Sequence, residues 1–117
     1  MNITDVVDTY IASWNETDPE RRRALVGRTW TEDGTYLDPL MSGANPDAIA
    51  AMIAAAQQQF PGHRFELAAG PDAHHDRVRF AWTLAGPDGP VAAGVDFATV
   101  APDGRLRAVT GFLEPAA

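Results

Sequence analysis

The chain has 117 residues, a formal net charge of −7, an apolar fraction of 45% and a charged fraction of 21%. That length fits a single globular domain over 1–117 with one core, and the acidic balance argues against nucleic acid and anionic membrane surfaces as partners. Cysteine is absent, which excludes disulfides and thiolate chemistry, and all nine basic residues are arginine, which excludes a lysine Schiff base.

Met1–Asp5 shows no positive region followed by an apolar core, so no signal peptide is expected. The longest apolar run, Ala48–Ala56, is too short to cross a bilayer, and a cytoplasmic protein is expected. Heavy use of Ala and Arg without Lys points to a GC-rich bacterial genome, a statement about codons rather than function.

Ile3, Val6, Val7, Tyr10, Ile11 and Trp14 fall on one face of a helix, with Asp5, Asp8, Thr9 and Ser13 largely off that stripe. Asn15–Thr17 ends it. Asp18 and Pro19 then read as the N-cap and first residue of a second helix that runs to about Trp30, with Leu25, Val26 and Trp30 facing inward. Arg21–Arg23 within it reads as a solvated face.

Glu32–Gly34 is expected to be a turn and Thr35–Asp38 a short strand stopped by Pro39. Asn45-Pro46 repeats the cap signal and opens a third helix, with Ile49, Met52, Ile53, Ala56 and Phe60 at helical spacing, ended by Pro61-Gly62. From there the period becomes two. Phe65, Leu67 and Ala69 alternate with polar residues, Gly70–Asp76 reads as a connection, and Val78, Phe80, Trp82 and Leu84 alternate again. The turns Gly86–Gly89 and Ala101–Gly104 bracket strands at about 91–100 and 105–114. Helices first and an antiparallel meander after them mean α+β: three N-terminal helices covering one face of a curved sheet, with a cavity left at its open end.

Two acids stand outside turns, caps and helix surfaces. Asp96 lies mid-strand in a row with Ala92, Gly94, Ala98 and Val100, and strands disfavour Asp. It sits either at the sheet rim or facing a cavity, where burial raises its pKa. Asp38 shares a face with Tyr36 and precedes Pro39, which is also the pattern of a turn-initiating Asp-Pro. Tyr10, on the apolar stripe, needs a partner for its hydroxyl, either a backbone carbonyl or a carboxyl across a pocket. His74-His75 has no third ligand at metal-binding spacing, so no metal site is expected. His63 opens a strand and is the alternative acid/base group.

The whole chain resembles the SnoaL-like and ketosteroid-isomerase-like family of the nuclear transport factor 2-like superfamily. The resemblance is carried by the element order, Tyr10–Asn15, Trp30–Pro39, Gly94-Val95-Asp96 and Asp103–Leu106. It implies a cone-shaped fold and places the ketosteroid isomerase site on Asp38 as proton-shuttling base, with Tyr10 and a protonated Asp96 holding the enolate oxygen; the handling of such a neutral carboxyl is well known for that enzyme. Met52-Ile53-Ala54 departs from the family pattern, having no tyrosine to support the first one.

The expected function is cofactor-independent acid/base catalysis, of isomerase or cyclase type, on a small apolar carbonyl or polyketide-like compound. Trp14, Tyr36, Met52, Phe60, Phe80, Trp82 and Phe112 are the expected ligand-binding residues. The alternatives are a binding module for an apolar ligand without chemistry, and a dimeric protein whose sheet face, with Phe97 and Phe112, mates with a second copy. A homodimer is expected from the resemblance.

Overall fold

The computed structural model describes residues 2–114. Three helices, α1 (Ile3–Asn15), α2 (Pro19–Thr29) and α3 (Pro46–Gln59), cover one face of a sheet of six strands. The strands are β1 (Trp30–Leu37), β2 (Ser42–Gly43), β3 (Arg64–His74), β4 (Arg77–Gly86), β5 (Gly89–Val100) and β6 (Leu106–Leu113), ordered β2-β1-β6-β5-β4-β3. All neighbours are antiparallel except β1 and β6. The fold is thus α+β, a helix-covered cone.

Each helix starts where the sequence places a cap. Asn2, Asp18 and Asn45 accept the backbone N–H of Asp5, Arg21 and Ala48 at 2.9, 2.9 and 2.8 Å, which satisfies a donor that the first turn leaves free. Val6, Val7, Tyr10 and Trp14 of α1 are buried as the 3.6 period demands. Ser13 is buried beside them, contrary to expectation, and its hydroxyl donates to the Tyr10 carbonyl at 2.6 Å. Hydrogen bonding to the preceding turn lets a small polar side chain enter the core without an unpaired group.

Arg22 also departs from its expected solvated face. It is only 7% exposed. Its guanidinium donates to the Glu16 and Thr17 carbonyls at 3.0 and 3.2 Å and to Gln57 Oε1 at 2.7 Å. Gln57 in turn donates to the carbonyls of Trp14 and Glu16, both at 2.9 Å. The cation thereby closes the C-terminal end of α1 and ties it to α3.

Glu32–Gly34 is not a turn between elements but part of β1. The strand begins at Trp30 and absorbs the polar stretch as an irregularity in its pairing with β6. Gly34 is required there, since a Cβ would stand 2.8 Å from the Trp30 ring. Gly70–His74 likewise belongs to β3, which continues through shifted pairing with β4 to a turn at His75-Asp76. The two-residue β2, paired to β1, carries no sequence signal of its own.

Val78, Phe80, Trp82 and Leu84 of β4 all face the helices, and Asp96 and Ala98 of β5 face the same way. On the outer sheet face Phe97 is 42% and Phe112 60% exposed. Among the described residues no helix is long and apolar enough to cross a membrane.

Candidate functional site

A cavity of about 120 Å³ opens between α1, α3 and the inner sheet face. Its walls are apolar, with Ile11, Trp14, Leu40, Met41, Ala56, Phe60, Phe65, Trp82, Leu84, Ala92 and Leu113. The aromatic rings are chained. Trp14 packs on Tyr36 at 5.5 Å and on Phe65 at 5.2 Å, and Phe65 packs on Trp82 at 5.5 Å between centroids. All four polar contributors are acids or phenols: Tyr10, Tyr36, Asp38 and Asp96.

Asp96 occupies the middle of the sheet. Across it the register places Phe80 on β4 to one side and Gly111 on β6 to the other. The carboxyl is 2% exposed. Tyr10 reaches it from α1, donating to Oδ2 at 2.7 Å, and the Trp82 indole donates to Oδ1 at 3.1 Å. The indole can lie diagonally over β5 because residue 94 is glycine, where a Cβ would meet its ring at 2.5 Å. Burial raises the Asp96 pKa most; the Tyr10 and Trp82 hydrogen bonds pull it back, the Asp38 charge pushes it up again, and it settles at about 6. Burial, and after it the Asp96 charge, hold the Tyr10 hydroxyl well above the ordinary tyrosine value, so it stays protonated.

Asp38 sits just past β1 and is half-buried. Its Oδ1 accepts the backbone N–H of Leu40 and Met41 at 2.7 and 2.9 Å, an Asx turn across Pro39, while Oδ2 accepts the Tyr36 hydroxyl at 2.6 Å. Asp38 therefore both closes the Asx turn and lines the cavity. Tyr36 is raised above the ordinary tyrosine value by burial first and then by the two carboxyls.

The two Tyr–Asp pairs meet over Gly111. A Cβ there would stand 2.9 Å from Asp96 Oδ1, 3.1 Å from Tyr36 Oη and 3.2 Å from Asp38 Cβ. The absence of a side chain is what lets the two pairs approach this closely. Gly94 and Gly111 are the site residues that sequence reasoning missed. The signal was a glycine two positions before an out-of-place strand acid, and a second one in the next strand.

Of the expected ligand-binding residues, the structure brings Trp14, Tyr36, Phe60 and Trp82 to the cavity together with Tyr10, Asp38 and Asp96. Three lie elsewhere. Met52 is buried on α3 and borders a separate groove with Ala48, Ala51 and Ala55. Phe80 is 2% exposed in the core, packed edge-on against Tyr10 at 5.4 Å between centroids, and is not part of the cavity wall. Phe112 follows Gly111 and, by strand alternation, faces outward. His63 is not in the cavity wall. Among the described residues no group of three or more His, Cys, Asp or Glu side chains is placed to hold a metal ion.

A family model for the SnoaL-like domain matches residues 7–109. The chain belongs to the SnoaL-like family. A SnoaL-like protein from Agrobacterium tumefaciens str. C58, provisionally described as an isomerase, is 50% identical over 97% of both chains, with a TM-score of 0.91. A protein from Sinorhizobium meliloti, provisionally described as a polyketide cyclase, is 21% identical over 92% of this chain and 93% of its own, TM-score 0.72. An NTF2-like protein of unknown function from Exiguobacterium sp. 255-15 is 16% identical over 95% and 99%, TM-score 0.74. The last two share the SnoaL-like fold and nothing narrower. No protein of curated function matches the chain.

Proposed function

We propose that this SnoaL-like domain is an acid/base enzyme acting without a cofactor on a ring-sized apolar carbonyl compound, with Asp96 as its proton carrier. The observation that carries this reading is the Asp96 carboxyl, buried at the wall of a largely apolar cavity, whose pKa is pushed up to about 6. A general base works best when its pKa approaches the working pH, because it is then both ionised and basic. The relative from A. tumefaciens, provisionally described as an isomerase, supports a proton-shifting reaction of this class.

In the reaction, an Asp96 oxygen removes a proton from the carbon beside the substrate carbonyl. The C–H electrons form a carbon–carbon double bond and the carbonyl electrons move to oxygen. Tyr10 and Trp82 donate to Asp96 in the resting site. Once Asp96 carries the proton it is a weaker acceptor, so the Tyr10 hydroxyl is released to the developing oxyanion as the charge moves there. Asp96 then returns the proton to carbon.

This assigns Asp96 the role that the family resemblance gives to Asp38. Asp38 has three donors already committed to it and is read as the second carboxyl, held in place beside Tyr36. The size of the cavity, about 120 Å³, is close to the roughly 150 Å³ that accommodates benzene. One six-membered ring suits it better than a four-ring steroid.

The test is exchange of the α-protons of cyclohexanone in D2O, followed by proton NMR. Exchange faster than buffer is expected, with a loss of about 100-fold or more in Asp96→Asn. Exchange at the buffer rate, or an unaffected Asp96→Asn enzyme alongside an inactive Asp38→Asn enzyme, defeats the assignment.

A further inference from the structure

The hydrogen bonds at the polar end of the cavity all run in one direction. The Tyr10 and Tyr36 hydroxyls, the Trp82 indole N–H and the Leu40 and Met41 backbone N–H groups each donate to Asp38 or Asp96. Every side-chain donor facing the cavity is thus committed in the resting state. What remains is acceptor capacity. A carboxylate oxygen can accept about two hydrogen bonds. Asp96 Oδ1, Asp96 Oδ2 and Asp38 Oδ2 each accept one within the protein. Asp96, Asp38 and Tyr36 all line the cavity, so this spare acceptor capacity is within reach of whatever enters it.

Charge points the same way. No Arg or His lines the cavity. Asp96 is faced by Tyr10 from α1, by Tyr36 and Asp38 from β1 and the turn after it, by Trp82 from β4 and by Gly111 from β6, while α3 brings only Ala56 and Phe60. The walls include the aromatic rings of Trp14, Phe65 and Trp82. Aromatic faces attract cations, most strongly where water is displaced. A carboxylate or phosphate ligand would meet two acids and find no free donor.

We infer that the cavity is a receptor for small apolar ammonium compounds: a ring-sized hydrocarbon body against the aromatic wall, with its N–H groups at the polar end of the cavity, donating to Asp96 and Asp38. The inference uses the same cavity as the proposed reaction but needs no turnover. Ring-sized primary amines are therefore expected as ligands and as competitive inhibitors of ketone exchange.

The probes are cyclohexylammonium, cyclohexanol, cyclohexanecarboxylate and methylammonium, titrated at about pH 8, above the Asp96 value of about 6 and where the amine and acid probes are charged, and read by tryptophan fluorescence. Cyclohexylammonium is expected to bind at least about tenfold more tightly than cyclohexanecarboxylate and methylammonium. Asp96→Asn is expected to remove most of that advantage while leaving cyclohexanol binding in place. In the wild-type chain, lowering the pH to about 5 protonates Asp96 and is expected to weaken the amine and leave the alcohol unchanged. Carboxylate binding equal to the amine, an amine preference that survives both Asp96→Asn and acid, or methylammonium binding as well as its cyclohexyl analogue each overturns the inference. Ketone exchange that persists without amine binding would overturn it and leave the enzyme reading standing.

Discussion

The polar end of the cavity and the seam between α1 and α3 are both buried, both contain charged side chains, and are satisfied in opposite ways. At the seam, Arg22 gives its hydrogen bonds to carbonyls at the end of α1 and to Gln57. The Glu16 carbonyl, at the cap of α1, carries part of the negative charge of a helix terminus, so the cation is stabilised without a carboxylate. At the cavity, Asp96 receives donors from two elements, yet keeps lone pairs that no protein group meets. A buried charge works as a staple when its bonding capacity is used up by the fold, and as a site when part of that capacity faces empty space. Residue type does not distinguish the two; the direction of the hydrogen bonds does.

Substitutions on the two sides should separate accordingly. The largest effect is expected from Asp96→Asn, which should cost about 100-fold or more in ketone exchange. It should also change how stability depends on pH. Folding raises the Asp96 pKa from 3.8 to about 6, so between those values the native state binds more protons than the unfolded chain. Stability contributed by this group therefore falls as pH rises through that window, and the full cost above it is on the order of 2–3 kcal/mol. Urea unfolding across pH should show this slope in the wild type and its loss in the variant.

Arg22→Ala comes next and should do the reverse. Removing the staple leaves the Glu16 and Thr17 carbonyls and Gln57 short of a partner, a destabilisation of about 2 kcal/mol. The Asp96 titration should not move. If it moves by as much as a cavity substitution moves it, the two clusters are not independent.

Gly111→Ala follows. Its methyl group would crowd Asp96 Oδ1 and Tyr36 Oη, with an expected loss of about 1–2 kcal/mol in unfolding free energy and weaker binding of any ring-sized ligand. Unchanged stability and binding would show that the close approach of the two pairs at Gly111 does not matter. The smallest effect is expected for Trp82→Phe. It removes one donor to the ionised form of Asp96, so the pKa should rise, by on the order of one unit. A fall would contradict the hydrogen bond.

Much of this could be read from the residues. The helix caps at Asn45 and Asp18, the stripe on α1 and the alternation in β4 fixed the architecture, because periodicity and cap chemistry are local. Asp96 was conspicuous because a strand has no local use for an acid. The errors have a common cause, which is tertiary context. Glu32–Gly34 reads as a turn until β6 is there to pair with it. Arg22 reads as surface until α1 ends against it. Phe80, Phe112 and Trp82 are all aromatic strand residues, and only their tertiary placement decides which of them meets the cavity. The role of glycines 94 and 111 was hidden because an absence has no signature until its neighbours are placed.

The central claim is that Asp96 is held in an apolar cavity with its proton affinity raised toward neutral. Carbon-13 NMR of a chain labelled at the aspartate carboxyls, with Asp96 assigned through Asp96→Asn, measures this directly. A titration midpoint near 6 is the result the account requires. A midpoint at or below the ordinary 3.8 would mean that the donors outweigh burial, and that Asp96 is a permanently ionised structural acid rather than a proton carrier.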